Sequence, residues 1–264
     1  MKPFIKNTNT RHAVLRHGIS FLLILGALLS ISSCSNNDEV PGEGMLTLEI
    51  ANLFDGDPLE LDSKTYQNEL GQEFSIQEFK FYLSNVKLRN SATGAVYTEP
   101  ESYHLVSRKD ATHLFEIEIE EVTAGQYDQL EFSIGVDPTR NLSLDNIGDL
   151  DPSNNMAWDW NTGYKFLLLE GKYSPKDGSD DKGLIFHVGS DANYRTVTLP
   201  ISSGSDAKFE LKGGQSNAIK LDIEVSEIFK NPTSVDFDTD NVVMFEGISG
   251  KVADNYSKMV SVGE

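Results

Sequence analysis

Apolar and polar residues alternate with a period of two along most of the chain after residue 44, the mark of half-buried β-strands. Residues 45–50 alternate in this way, and the pattern returns over 74–88 through Phe79, Phe81, Leu83, Val86 and Leu88. It slips near Ser84 and Asn85, which predicts a bulge there. Residues 114–120 put Leu114, Glu116, Glu118 and Glu120 on one face and Phe115, Ile117 and Ile119 on the other. Further strands are predicted over 103–106, 127–136, 164–169, 184–188, 195–199, 207–211 and 217–225. Between them, 52–71 reads as a loop with a short strand, and 90–94 and 122–127 read as turns. Residues 226–231 predict one helical turn, and 252–260 a short helix with Asp254 near its start. About ten strands with little helix predict an all-β fold, an antiparallel β-sandwich with Greek-key-like connections.

The first 33 residues do not fit that pattern. Lys2, Lys6, Arg11 and Arg16 precede an apolar run, 19–31, which ends in Ser32, Ser33 and Cys34. This is the layout of a secretory signal, and its apolar run is shorter than the roughly 20 residues a membrane-spanning helix needs. The small residues before the only cysteine look like a bacterial lipobox, in which Cys34 becomes the lipidated N-terminus. The expected organisation is therefore a signal over 1–33, a flexible linker over 34–44 and one domain over 45–264. The mature protein would be held at the membrane by its lipid alone, since more than one acyl chain gives stable anchoring.

Charge narrows the partners. The signal carries four positive and no negative charges, so its removal takes the formal charge from −19 to −23. Such a chain is a poor ligand for nucleic acid or an anionic lipid surface. With Cys34 given to lipid, no internal disulfide and no thiolate chemistry is left. Any metal would have to use imidazole, carboxylate, thioether or carbonyl groups. His12 and His17 go with the signal, leaving His104, His113 and His187.

The stretch 155–171, NMAWDWNTGYKFLLLEG, holds both tryptophans, Trp158 and Trp160, where an acidic, Asn-rich loop gives way to an apolar strand. Large aromatics at such a boundary either plug the end of a sandwich or line a site. Hydrolase signatures are absent: there is no G-x-S-x-G, and no histidine of the mature chain has another within four residues. Lys212 and the two glycines after it have neither Walker-type nor dinucleotide-binding spacing. The expectation is a protein that is not an enzyme. Scattered histidines with Met156 as a soft ligand would suit copper. The loop carboxylates Asp145, Asp149 and Asp151 offer a calcium site, although without EF-hand spacing. Sugar stacking on a tryptophan is the alternative.

Several segments taken together, in this order, bear a family likeness. They are FKFYLSNVKL (79–88), YDQLEFSIGVD (127–137) with Asn141 beyond it, DLDP (149–152), MAWDWNTGYKFLLLEG (156–171) and FHVGSD (186–191). The combination resembles the MbnP family of methanobactin-associated periplasmic copper-binding proteins, over most of residues 46–225. The leader is similar to those of Bacteroidetes-type lipoproteins. The resemblance implies a copper-binding β-sandwich whose partner is a di-haem, MauG-like (MbnH-like) cytochrome c peroxidase. In some members that partner oxidises a tryptophan to kynurenine, whose amine and carbonyl help to hold the metal. On this chain the implied residues are Trp158 or Trp160 for modification and His187, His104 and His113 as imidazole ligands. The expected function is thus a copper-binding lipoprotein anchored in the bacterial envelope, at the outer membrane. The alternative is a surface module that binds glycan or protein.

Overall fold

The computed structural model describes residues 42–108, 114–143, 145–158, 162–202 and 208–263, all within the compact unit Val40–Glu264. The expected signal, Cys34, His113 and Trp160 lie outside the described residues.

Two sheets pack face to face. The smaller contains β1 (Glu43–Phe54), β2 (Asp57–Pro58), β7 (Leu114–Thr123), β14 (Ser216–Glu224) and β16 (Val260–Val262). The larger contains β3 (Tyr66–Gln67), β4 (Glu73–Arg89), β5 (Val96–Thr98), β6 (Tyr103–Arg108), β9 (Gln129–Ile134), β10 (Lys165–Ser174), β11 (Lys182–Gly189), β12 (Arg195–Pro200) and β15 (Val242–Val243). A small ribbon pairs β8 (Gly125–Tyr127) with β13 (Phe209–Leu211). The chain crosses repeatedly between the sheets, and the all-β sandwich is as the alternation predicts. Four details differ. Short edge pieces raise the count to sixteen strands among the described residues. The pairing is parallel between β1 and β14 and between β11 and β15. The last helix, α3, is Ser249–Tyr256, so Val260 belongs to a strand. Residues 122–127 are also mostly extended rather than a turn.

The long strand β4 organises the larger sheet. Lys80 is opposite both Ser107 of β6 and Leu168 of β10, while Leu83 is opposite both His104 of β6 and Ile134 of β9. Hence β9 and β10 follow one another along one edge of β4, with β6 on the other. The ladder slips between Ser84 and Lys87, and Asn85 has φ 55°, so the predicted bulge sits where β10 gives way to β9. Phe79, Phe81 and Leu83 point inward with Leu48, Phe132, Leu167 and Ile219 to form the sandwich core. Tyr82 points the other way and joins Leu105, Val136, Leu150, Met156, Tyr164, Phe166 and Leu168 in a second apolar cluster on the outer face. This explains why 165–169 is buried throughout: a strand covered on both faces needs no polar side.

Candidate functional site

What covers the outer face is the long connection from β9 to β10. Helix α1 (Pro138–Asn141) opens it, with Asp137 as N-cap accepting from Thr139 N at 3.0 Å. Its last residue, Asn141, is buried and ties two segments together: Oδ1 accepts from Tyr164 N at 2.9 Å, and Nδ2 donates to Asp191 Oδ1 at 2.8 Å. Tyr82 and Tyr164, edge to face at 5.7 Å, donate their hydroxyls to the carbonyls of Asp149 (2.9 Å) and Leu150 (2.6 Å). The loop carboxylates are engaged locally. Asp149 accepts from Leu105 N at 2.7 Å, Asp151 caps the turn at Ser153 at 2.8 Å, and Asp145 accepts from Ser143 Oγ at 2.6 Å. No three carboxylate or imidazole groups converge on a metal position among the described residues.

The described ends of the tryptophan stretch pair with each other on this platform. Ala157 bridges Tyr164, and Trp158 N donates to Gly163 O at 3.0 Å. Gly163 has φ +79°, and a Cβ there would strike Asn141, so this position requires glycine. The Trp158 ring lies on Gly189 at the end of β11: a Cβ on Gly189 would sit 2.6 Å from Cζ3 and closer still to Tyr164 O. Its other neighbour is Phe245, with ring centroids 4.5 Å apart.

His187 is two residues before Gly189 and faces the same way, about 7 Å along the strand from the position the Trp158 ring covers. Directly opposed residues share a face in an antiparallel pair, and Lys80, Leu168 and His187 are opposed in turn across β4, β10 and β11. Lys165 is opposite Gly189 and joins them. His187 Nε2 lies 2.7 Å from Glu170 Oε1. Burial pushes the imidazole below its usual range; the Glu170 contact opposes this and the Lys165 charge adds to it. Lys165 is itself buried, its amine donating to Asn155 O at 3.0 Å and pushed downward by desolvation. Neighbouring Lys80 pairs with Glu78.

With Glu170 accepting from Nε2–H, the ring is held in the tautomer that leaves the Nδ1 lone pair free, as second-shell carboxylates do for metal-bound imidazoles. The other predicted residues are placed differently. His104 is opposite Leu83 and therefore on the inner side of the sheet, where Nε2 contacts both Glu99 oxygens at 2.9 and 3.0 Å. The sheet separates it from His187. Met156 is fully buried in the outer apolar cluster. Glu170, Asn141, Gly189, Lys165 and Phe245 were not singled out as site residues by sequence. Asn141, Lys165, Glu170 and Gly189 had one signal, their place in or beside the family-like segments, and Phe245 had none.

The MbnP family model matches residues 43–245. Among solved structures, MbnP from Methylosinus trichosporium is similar with a TM-score of 0.53 and 17% identity, over 78% of this chain and 82% of that one. At that identity the likeness is one of fold. No curated protein matches the sequence.

Proposed function

Since the chain belongs to the MbnP family, we propose that it is a copper-binding protein of the bacterial envelope, without catalysis of its own, whose metal is held at His187, near Trp158. The observation that carries this is the His187–Glu170 contact of 2.7 Å on the strand where Trp158 rests. It supplies an oriented, neutral imidazole, a good donor to copper. Trp158 stands where an oxidised indole could bring further donors to the same metal. Conversion to kynurenine opens the indole five-membered ring, adds oxygen and removes one carbon; a di-haem, MauG-like peroxidase working with peroxide is the oxidising partner in this reading. Trp160, two residues on in the sequence, is the other substrate position. Cys34 and its lipid would tether the protein to the membrane. No helix among the described residues is long and apolar enough to cross one.

The partly exposed Trp158–Phe245 pair favours a second reading, a stacking platform for glycan or protein. Copper content and peptide mass of protein purified from its native host separate the two. Bound copper, with oxygen gained and carbon lost on the 158–160 peptide, supports the proposal including its peroxidase. Bound copper on unmodified tryptophan supports a plain imidazole site. Neither copper nor modification refutes the proposal and leaves the platform.

A further inference from the structure

Among the large apolar side chains of the described residues Ile147 is the most exposed, at 88%, and Leu142 in the same β9–β10 connection is 56% exposed. The segment that carries them is pinned on either side. Asn141 is tied to Tyr164 and Asp191, and Gly148–Leu150 forms a 3₁₀ turn that buries Leu150. Large apolar side chains held out from a pinned surface mark an interaction site.

Ile147 stands at the rim of a cavity of about 560 Å³. Tyr103 and Leu150 give it apolar walls, and its charged lining is Glu101, Asp145 and Asp149 against Arg140 alone. These groups are already set by the chain itself. The Tyr103 hydroxyl donates to Asp137 Oδ2 at 2.5 Å, Asp149 Oδ2 accepts from Leu105 N at 2.7 Å, and Asp145 Oδ1 accepts from Ser143 Oγ at 2.6 Å. Arg140 pairs with Glu101 and donates to Asn146 Oδ1 at 3.3 Å. One oxygen each of Asp145 and Asp149 takes no hydrogen bond from another described residue. A site fixed beforehand loses less on binding.

We infer that this part of the β9–β10 connection is a docking site for a protein partner that inserts an arginine into the cavity and packs apolar side chains on Ile147 and Leu142. The charge balance calls for a cation: three carboxylates face one guanidinium, which Glu101 already pairs. Arginine suits the lining better than lysine, since its planar fork pairs carboxylates with parallel bonds and its face stacks on a phenol ring such as that of Tyr103. A small cation would leave Ile147 and Leu142 uncovered. A bilayer would cover them, but Asp145, Asp149 and Glu101 would be drawn towards lipid with them, at a desolvation cost and against anionic headgroups. The site stands apart from the copper reading, for it uses neither His187 nor a metal. Tyr164 lies between it and Trp158, with its hydroxyl bonded to Asn146 and Leu150 and its carbonyl at Gly189 beside the Trp158 ring. A protein seated here therefore approaches the face that holds Trp158.

The test is titration calorimetry of the full chain with acetyl-Leu-Arg-Leu-amide and with its glutamine counterpart, acetyl-Leu-Gln-Leu-amide, together with hydrogen exchange to locate the contact. Ile147→Ser and Asp145→Asn alter exposed side chains and leave the core alone, and Val96→Ser, at an exposed apolar residue of β5, is the control. The expected result is binding of the arginine peptide with a Kd of about 1 mM, about tenfold weaker or more for the glutamine peptide, with protection at 142–150. Ile147→Ser and Asp145→Asn should each cost about tenfold, as central contacts of an interface do, and Val96→Ser nothing. No heat from the arginine peptide, equal binding of the glutamine peptide, or binding that survives both substitutions overturns the site. So does protection of 142–150 by phosphatidylcholine vesicles with none from the peptide, which gives Ile147 and Leu142 to the membrane instead.

Discussion

Gly189→Ala is the sharpest single perturbation of the site's geometry. The added methyl would lie 2.6 Å from Trp158 Cζ3, 3.0 Å from Cη2 and nearer still to Tyr164 O, whereas carbon atoms in contact prefer about 3.5–4.0 Å. The Trp158 ring must therefore retreat by about 1 Å, and a backbone oxygen must yield too. Forcing an extra methyl into such a place costs about 1–3 kcal/mol. For a domain of this size each kcal/mol lowers Tm by about 2–4 °C, so a fall of about 2–12 °C is expected. Because the ring is the softer neighbour, Trp158 leaves its place on Gly189, and its fluorescence, read in a Trp160→Phe background, shifts towards that of a solvated indole. Gly183→Ala is the control on the same strand: its methyl would meet only Ile185, at 3.7 Å, an ordinary contact. A Gly189→Ala protein with unchanged Tm and emission would refute the placement of Trp158 on β11.

Other outcomes follow from the same geometry. Glu170→Gln keeps the volume but weakens the hold on the His187 tautomer, and copper affinity should fall about 10–100-fold; chelator competition measures it. His187 has a lowered pKa in the folded chain, so the unfolded state binds the proton more readily. Stability from this group is complete above the ordinary imidazole pKa of about 6.5 and is lost as pH falls from there through the folded value. Denaturant melts from pH 8 to 5 should show that slope, and His187→Asn should flatten it. Asn141→Ala strands the buried Tyr164 N–H and removes the tie to Asp191, at a cost of about 2–4 kcal/mol; amide exchange at Tyr164 should accelerate more than in the sandwich core.

Much of the fold was legible because the period-two pattern is local. Phe79, Phe81 and Leu83 announce the inner face of β4, and the slip at Ser84 and Asn85 announces its bulge. The parallel pairing of β1 with β14 is not written locally, since it joins strands more than a hundred residues apart. The histidines show the same divide. That His187 and His104 lie on strands follows from their neighbours, yet which face each occupies depends on the registers Leu168 to His187 and Leu83 to His104. Glu170 reads in sequence as the polar end of an apolar run, and only the β10–β11 pairing brings it to an imidazole. Met156 looked like the available thioether because it adjoins the tryptophans in sequence. Packing instead puts it under the loop, sealed among Tyr82, Tyr164 and Phe166.

The most direct test of copper at His187 is a copper titration of the full chain alongside His187→Ala and His104→Ala. The account predicts one tightly bound copper per chain, abolished by His187→Ala and retained by His104→Ala, whose imidazole is engaged with Glu99 on the other side of the sheet. Tight binding that survives His187→Ala, or disappears with His104→Ala, would contradict it.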